Sequence, residues 1–250
     1  MPLFETESIV LKSFNLAEAD RIVVFLTQDN GIVRGVAKGA KRLKSRFGST
    51  LEPFSTVQLS YFQKDDRELV SIQNIELLSS CFDKASEPAF LQTFSYISEL
   101  LISFVPPHDP NETLYRMVRA CIESGSTGER ELAAVVLYFE LWLLRLGGFL
   151  PDWTRCRECD RAFARDELGS LQSTFALICG QCQKSTGRTR VLAVHREVFG
   201  SVQKLSPTAF AEFAADFPDA VNEVSAVMKR IAAHVIGREV VGTKSLAVKL

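Results

Sequence analysis

Histidine is scarce in this chain. Its 250 residues contain three, His108, His195 and His234, set far apart. Histidine is the commonest general acid–base side chain, so acid–base catalysis has few evident players. Net charge is nearly absent as well: 29 basic side chains stand against 30 acidic ones, a formal −1. That excludes a protein whose whole surface traps polyanions, and any nucleic-acid site must come from local clustering. Long hydrophobic runs are also lacking. The most apolar stretch, Leu132 to Leu146, is shorter than the roughly 20 residues a membrane span needs. Glu140 and Arg145 interrupt it, and it reads as a buried core helix. Met1 to Glu7 has neither the basic nor the apolar segment of a secretory leader, which predicts a cytoplasmic protein. No internal repeat or low-complexity segment occurs.

Catalytic motifs are missing too. The chain contains no G-x-S-x-G elbow and no H-E-x-x-H pair. Gly237 to Ser245 comes near a P-loop, but Thr243 separates the second glycine from Lys244. Too few residues follow for the helix that would cradle phosphates, so no nucleotide site is expected. Asp65, Asp66 and Glu68 fall in one turn, whereas a two-metal nuclease needs carboxylates converging from several elements. The expectation is a protein that is not an enzyme.

What is present divides by period. Ser8–Phe14, Arg21–Thr27, Ile32–Ala37, Thr56–Phe62 and Leu69–Leu78 read as strands, rich in Ile, Val, Leu and Phe or alternating with period two. Asp29-Asn30-Gly31 is a good hairpin turn, and Lys64 to Arg67 a polar one. Five short strands in the first 80 residues predict a small closed barrel, with the OB-fold a leading candidate. Phe54 and Tyr61 are expected in its core. From residue 81 the period turns helical. One apolar face runs from Phe90 to Phe104, a capping signal at Asp109-Pro110-Asn111-Glu112 starts a helix to about Glu123, and Glu129–Leu146 is apolar nearly all round. Helices return over His195–Leu205, after Ser206-Pro207, and over Val221–Ile236. The predicted class is α+β: an N-terminal five-stranded OB-fold barrel (1–80), then an α-helical domain (81–250) with an irregular insert at about 151–190.

That insert carries Cys156, Cys159, Cys179 and Cys182, two C-x-x-C units with 19 residues between them. Two such turns supply four thiolates to one tetrahedral ion, the preference of Zn²⁺. Four protein ligands leave no open position, so one structural zinc is predicted. The lone Cys81 and Cys121 are expected to be small buried hydrophobes, and His195 a helix-start or surface histidine. Arg155, Arg157, Arg161, Arg165, Arg188 and Arg190 surround the insert, with acidic residues among them.

Charge is polarised near the N-terminus. Arg34 to Leu51 holds six basic residues, Arg34, Lys38, Lys41, Arg42, Lys44 and Arg46, and no acidic one; the rest of the first 80 residues holds four basic and ten acidic. A flexible cationic loop projecting from a barrel suits phosphates, because each one neutralised releases counterions. Phe47 lies inside the run and is expected to stack on bases.

Lys38-Gly39-Ala40-Lys41-Arg42-Leu43-Lys44-Ser45-Arg46-Phe47-Gly48, followed by Leu51-Glu52-Pro53-Phe54, resembles the signature region of the bacterial RecO recombination-mediator family. So do the opening strand with Glu18-Ala19-Asp20-Arg21 after it, and the order barrel, helices, paired cysteines. The resemblance implies an OB-fold and a helical domain. It implies binding of single- and double-stranded DNA, annealing of complementary strands, and loading of RecA recombinase onto strands coated with single-strand-binding protein. RecR is the implied partner, with RecF and the single-strand-binding protein beside it, in a bacterial, nucleoid-associated setting. Arg34 to Arg46 would be the DNA-contacting set. Zinc ligands are missing from some members of the family, and Thr243–Leu250 matches its basic ending only loosely. A reading of another class remains beside this one, a zinc-ribbon adaptor that works by protein contacts without binding DNA.

Overall fold

The structure is a computed structural model, and it describes residues 2–16, 18–64, 68–124, 127–183 and 189–240. Asp65–Arg67 of the expected Lys64–Arg67 turn, Arg188 and the segment from Val241 onward lie outside the described residues.

Five strands close into a barrel: β1 (Leu3–Asn15), β2 (Arg21–Thr27), β3 (Gly31–Ala37), β4 (Thr56–Phe62) and β5 (Leu69–Ser79). Their order around the barrel is β1-β2-β3-β5-β4, and β1 pairs with β4 to complete it. Only β3 and β5 run parallel. This is the expected OB-fold. β1 begins five residues earlier than its sequence pattern suggested, because Leu3 to Ile9 pair with β4 while Ser8 to Asn15 pair with β2. Val10, Val23, Phe25, Val33, Leu59, Tyr61 and Ile72 fill the interior. Each such side chain contributes about 1.5–3 kcal/mol when fully buried. Phe54 is buried but leaves the barrel: at φ +68 it turns toward α2 (Pro88–Phe104), its ring 5.4 Å from that of Phe94.

A short α1 (Phe82–Ala85), unforeseen in the sequence, precedes α2, and α3 (Glu112–Glu123) follows it. The cap of α3 is Asn111, whose side chain accepts from the Leu114 amide at 2.9 Å, not Asp109. The α2–α3 linker crosses the β2–β3 hairpin. The His108 amide donates to the Ile32 carbonyl, and a Cβ at Gly31 (φ +63) would lie 2.3 Å from the Asp109 carbonyl oxygen. Lys12 pairs with Glu99 of α2, and Tyr115 donates to Glu7 at 2.9 Å.

These contacts move the division of the chain. Residues up to Thr127 form one compact unit and Gly128–Glu239 a second, whereas the change of period at residue 80 suggested a boundary there. In the second unit α4 (Glu129–Leu146) is central, packed by α6 (Pro207–Ala214) and α7 (Pro218–Ile236). Its buried Glu140 accepts from Ser225 at 2.8 Å. α5 (Ala193–Ser201) packs on α7. The cysteine insert is less irregular than expected: β6 (Gly169–Leu171), β7 (Leu177–Cys179) and β8 (Arg190–Val191) form a small sheet in the order β7-β6-β8. No helix among the described residues is long and apolar enough to cross a membrane.

Candidate nucleic-acid interface and metal centre

The cationic stretch leaves β3 at Ala37 and returns to β4 at Thr56 as a succession of turns. Backbone bonds three residues apart link Arg42 to Gly39, Ser45 to Arg42, Gly48 to Ser45, Thr50 to Phe47 and Glu52 to Ser49. Its start is tied to the β1–β2 turn: the Gly39 amide donates to the Asp20 carboxylate at 2.8 Å and the Lys41 amide to the Ala19 carbonyl at 3.0 Å. Asp20 is a carboxylate close to the run in space but not in sequence, and it is spent on backbone. Lys38, Lys41, Arg42, Lys44 and Arg46 are exposed, and Arg34 on β3 is half-buried. Lys38, Arg42 and Lys44 form no ion pair with a described carboxylate. The seven residues from Lys38 to Lys44 span at most about 22 Å of extended chain, so their charges crowd one region.

Phe47 does not take the role its position suggested. It is 1 % exposed and belongs to the barrel core with Leu51. Arg46 covers it, its guanidinium 4.9 Å from the ring centroid and donating to the Ile72 carbonyl at 3.3 Å. The loop is therefore not a free projection: its second half plugs the barrel, and its first half faces water. A base cannot reach a ring already packed on both sides.

A different exposed aromatic ring, that of Phe14, was missed. On the outer face of the barrel Phe14, Ile22 and Val36 are register partners, and the next rung holds Lys12, Val24, Arg34 and Leu69. Phe14 is 45 % exposed, with the Lys12 ammonium 5.1 Å from its ring centroid. In β1 the alternation from Val10 would turn Phe14 inward. A bulge between Val10 and Lys12 inserts Leu11 and reverses the faces beyond it.

The four cysteines converge as expected. Their sulfurs all lie within 4.8 Å of one another, and Cys159 Sγ is 3.9 Å from Cys179 Sγ. Sulfurs about 2.3 Å from a tetrahedral Zn²⁺ sit about 3.8 Å apart, so the set fits that ion. The Cys179 amide donates to Cys156 Sγ at 3.3 Å. Burial alone would raise the Cys156 thiol, but hydrogen bonds from backbone amides outweigh it and hold it below the usual range. Burial opposes the thiolate at Cys179 too, yet the Cys182 amide and the Arg161 guanidinium bring it to about 6. Cys182, bonded to the neighbouring sulfurs of Cys159 and Cys179, is pushed up to about 12. Four sulfurs this close ionise together only around a cation.

The module is fixed to its helices. Arg196 of α5 donates to the carbonyls of Ala164, Arg165 and Glu167, Trp153 stacks on Phe199 at 4.6 Å, and Arg230 of α7 lies over Phe175. His195 stands in the first turn of α5 and not at the surface, the other place expected for it. It is buried, its Nδ1 accepts from the Leu192 amide at 3.1 Å, and its Nε2 is 3.2 Å from Glu223. Cys81 and Cys121 are buried, in line with the hydrophobic role expected of them.

Two family models cover most of the chain: Recombination protein O N terminal over residues 1–81, and Recombination protein O C terminal over residues 91–215. The chain belongs to the RecO family. The RecO proteins are proteins of DNA repair and recombination. Similar curated proteins include the DNA repair protein RecO of Koribacter versatilis, 32 % identical over 166 residues that cover 64 % of this chain and 67 % of the relative. The DNA repair protein RecO of Bifidobacterium animalis subsp. lactis is 34 % identical over 161 residues, 64 % of this chain and 66 % of the relative. That of Anaeromyxobacter sp. is 24 % identical over 240 residues, 95 % and 93 % of the two chains. The N-terminal model ends at residue 81, where the barrel ends, and the C-terminal one spans α2 to α6 with the cysteine module inside it.

Proposed function

We propose that this RecO-family chain is a recombination mediator: it holds single- and double-stranded DNA by the phosphates, anneals complementary strands, and helps load RecA recombinase onto strands coated with single-strand-binding protein. The observation that carries the reading is the cationic turn segment Lys38–Arg46, pinned to the barrel through Asp20, Ala19 and Phe47 with its lysines and arginines outward. Phosphate contacts position a strand without reading its sequence, so binding is sequence-tolerant. Arg34, Lys38, Lys41, Arg42, Lys44 and Arg46 make those contacts, and Phe14 supplies the exposed ring that Phe47 does not. Two strands held on one cationic surface repel each other less, and pairing then proceeds without nucleotide hydrolysis. The chain acts by binding, with no bond chemistry of its own.

Cys156, Cys159, Cys179 and Cys182 hold one structural Zn²⁺, which replaces the hydrophobic core that so small a module lacks. RecR is the proposed protein partner, with RecF and the single-strand-binding protein in the same assembly at the nucleoid. The test is annealing of complementary oligonucleotides coated with single-strand-binding protein. The wild-type chain is expected to accelerate it. Lys41, Arg42 and Lys44 changed together to Ala should slow annealing at least tenfold while zinc content stays at one per chain; loss of about three phosphate contacts is large enough for that. Equal annealing by the two chains would contradict the reading, and partner binding without DNA affinity would favour a zinc-ribbon adaptor.

A further inference from the structure

Leu43 lies in the middle of the cationic segment, and its side chain is fully exposed, at 107 % of the reference value. The other large apolar residues of this connection found their places: Phe47, Leu51 and Phe54 are 1, 4 and 3 % exposed. Lys41 and Arg42 precede Leu43, Lys44 follows it, and all three are exposed. The segment is held on both sides, by the Lys41 amide on Ala19 and by the Ser45 amide on Arg42. The fold thus presents a single leucine to water between cations, at a place where a polar residue would serve a merely solvated turn.

We propose that Leu43 is a wedge that inserts between neighbouring bases of a strand whose phosphates the flanking cations hold. The inference rests on the DNA-binding reading above and adds the base contact that Phe47, buried, does not make. Apolar side chains, leucine among them, enter base steps and unstack them. The cost is smallest where no base pair has to open, and the surrounding phosphate contacts offset it. A strand held this way keeps its bases apart with their pairing edges free, which is the state annealing starts from. A membrane surface is the other environment for a leucine among lysines. One leucine is worth only about 1.5–3 kcal/mol on burial, less than stable anchoring needs, and an OB-fold barrel is a nucleic-acid-binding scaffold.

The experiment uses the full chain and a single-stranded oligonucleotide carrying one 2-aminopurine, whose fluorescence rises when it unstacks. Wild type is expected to raise the signal. Leu43→Ser should lose most of that rise while its affinity stays within about twofold and its salt dependence is unchanged, because the phosphate contacts remain. Since Leu43 packs on nothing, the variant keeps the fold. Leu43→Trp gives a second readout: its indole emission should be quenched by the oligonucleotide. The same 2-aminopurine rise with Leu43→Ser, or unquenched emission from Leu43→Trp, overturns the wedge. So does binding to anionic vesicles that requires Leu43 while 2-aminopurine does not respond. Failure of the DNA-binding reading looks different, because wild type would then not bind the oligonucleotide at all.

Discussion

Arg46 and Phe47 are adjacent in the chain and end on opposite sides of a surface, the guanidinium outside and the ring in the barrel core. Their separation sets a test that base stacking and core packing answer differently. Phe47→Ala should destabilise the first unit by about 3–5 kcal/mol, read as a lower denaturant midpoint at unchanged ionic strength. A stacking ring would instead leave the midpoint alone and lower DNA affinity by about 1–3 kcal/mol per base. This residue also marks a limit of the sequence. The side chains of strands and helices declare their faces through period, but a residue in a succession of turns has no period to declare one. Phe14 was hidden for a related reason, since one inserted residue at the β1 bulge inverts the alternation beyond it. The four cysteines were legible because their chemistry is carried by spacing within two short turns, which survives whatever the surrounding chain does.

At the scale of elements, the strands of the barrel and the helices of both units follow from hydrophobic period. Glu129–Leu146 matches the observed α4 end to end. The cysteine module did not follow. Its strands are two or three residues long, too short to show alternation, and they stand because the paired turns and the clasp of Arg196 hold them. The module therefore depends on its ligands. Cys156→Ser, or a strong chelator that strips the proposed Zn²⁺, is expected to unfold the described residues of the module, 151–183 and 189–190, since metal binding in such modules is folding free energy. Amide exchange in β6 and β7 should rise to the level of an open segment. The barrel, in the other unit, should keep its protection. Loss of protection in both units at once would contradict this separation.

For the whole molecule, the sequence change at residue 80 marks where secondary structure switches, not where the packing divides. α2 and α3 belong with the barrel, because Phe54 meets Phe90 and Phe94 and because Glu7 meets Tyr115 and Arg119. Such long-range pairs have no local signature. A fragment ending at residue 80 should fail to unfold cooperatively, with those surfaces exposed, whereas one ending at residue 127 should show a single cooperative transition. Equal cooperativity of the two fragments would show that the helices are dispensable to the barrel. The net charge is near zero, so DNA affinity should come from local cationic clustering and fall with salt in proportion to the number of phosphates that the cluster neutralises.

The most direct measurement is a titration of labelled single-stranded oligonucleotide at several salt concentrations, with wild type and with Lys38, Lys41, Arg42 and Lys44 changed together to Ala. Neutralisation of about six phosphates, one for each of Arg34, Lys38, Lys41, Arg42, Lys44 and Arg46, gives a log–log slope near −4.2 for wild type, and losing four of them brings the variant near −1.4. A wild-type slope close to zero, or the same slope for both proteins, would contradict the claim that this segment grips the phosphate backbone.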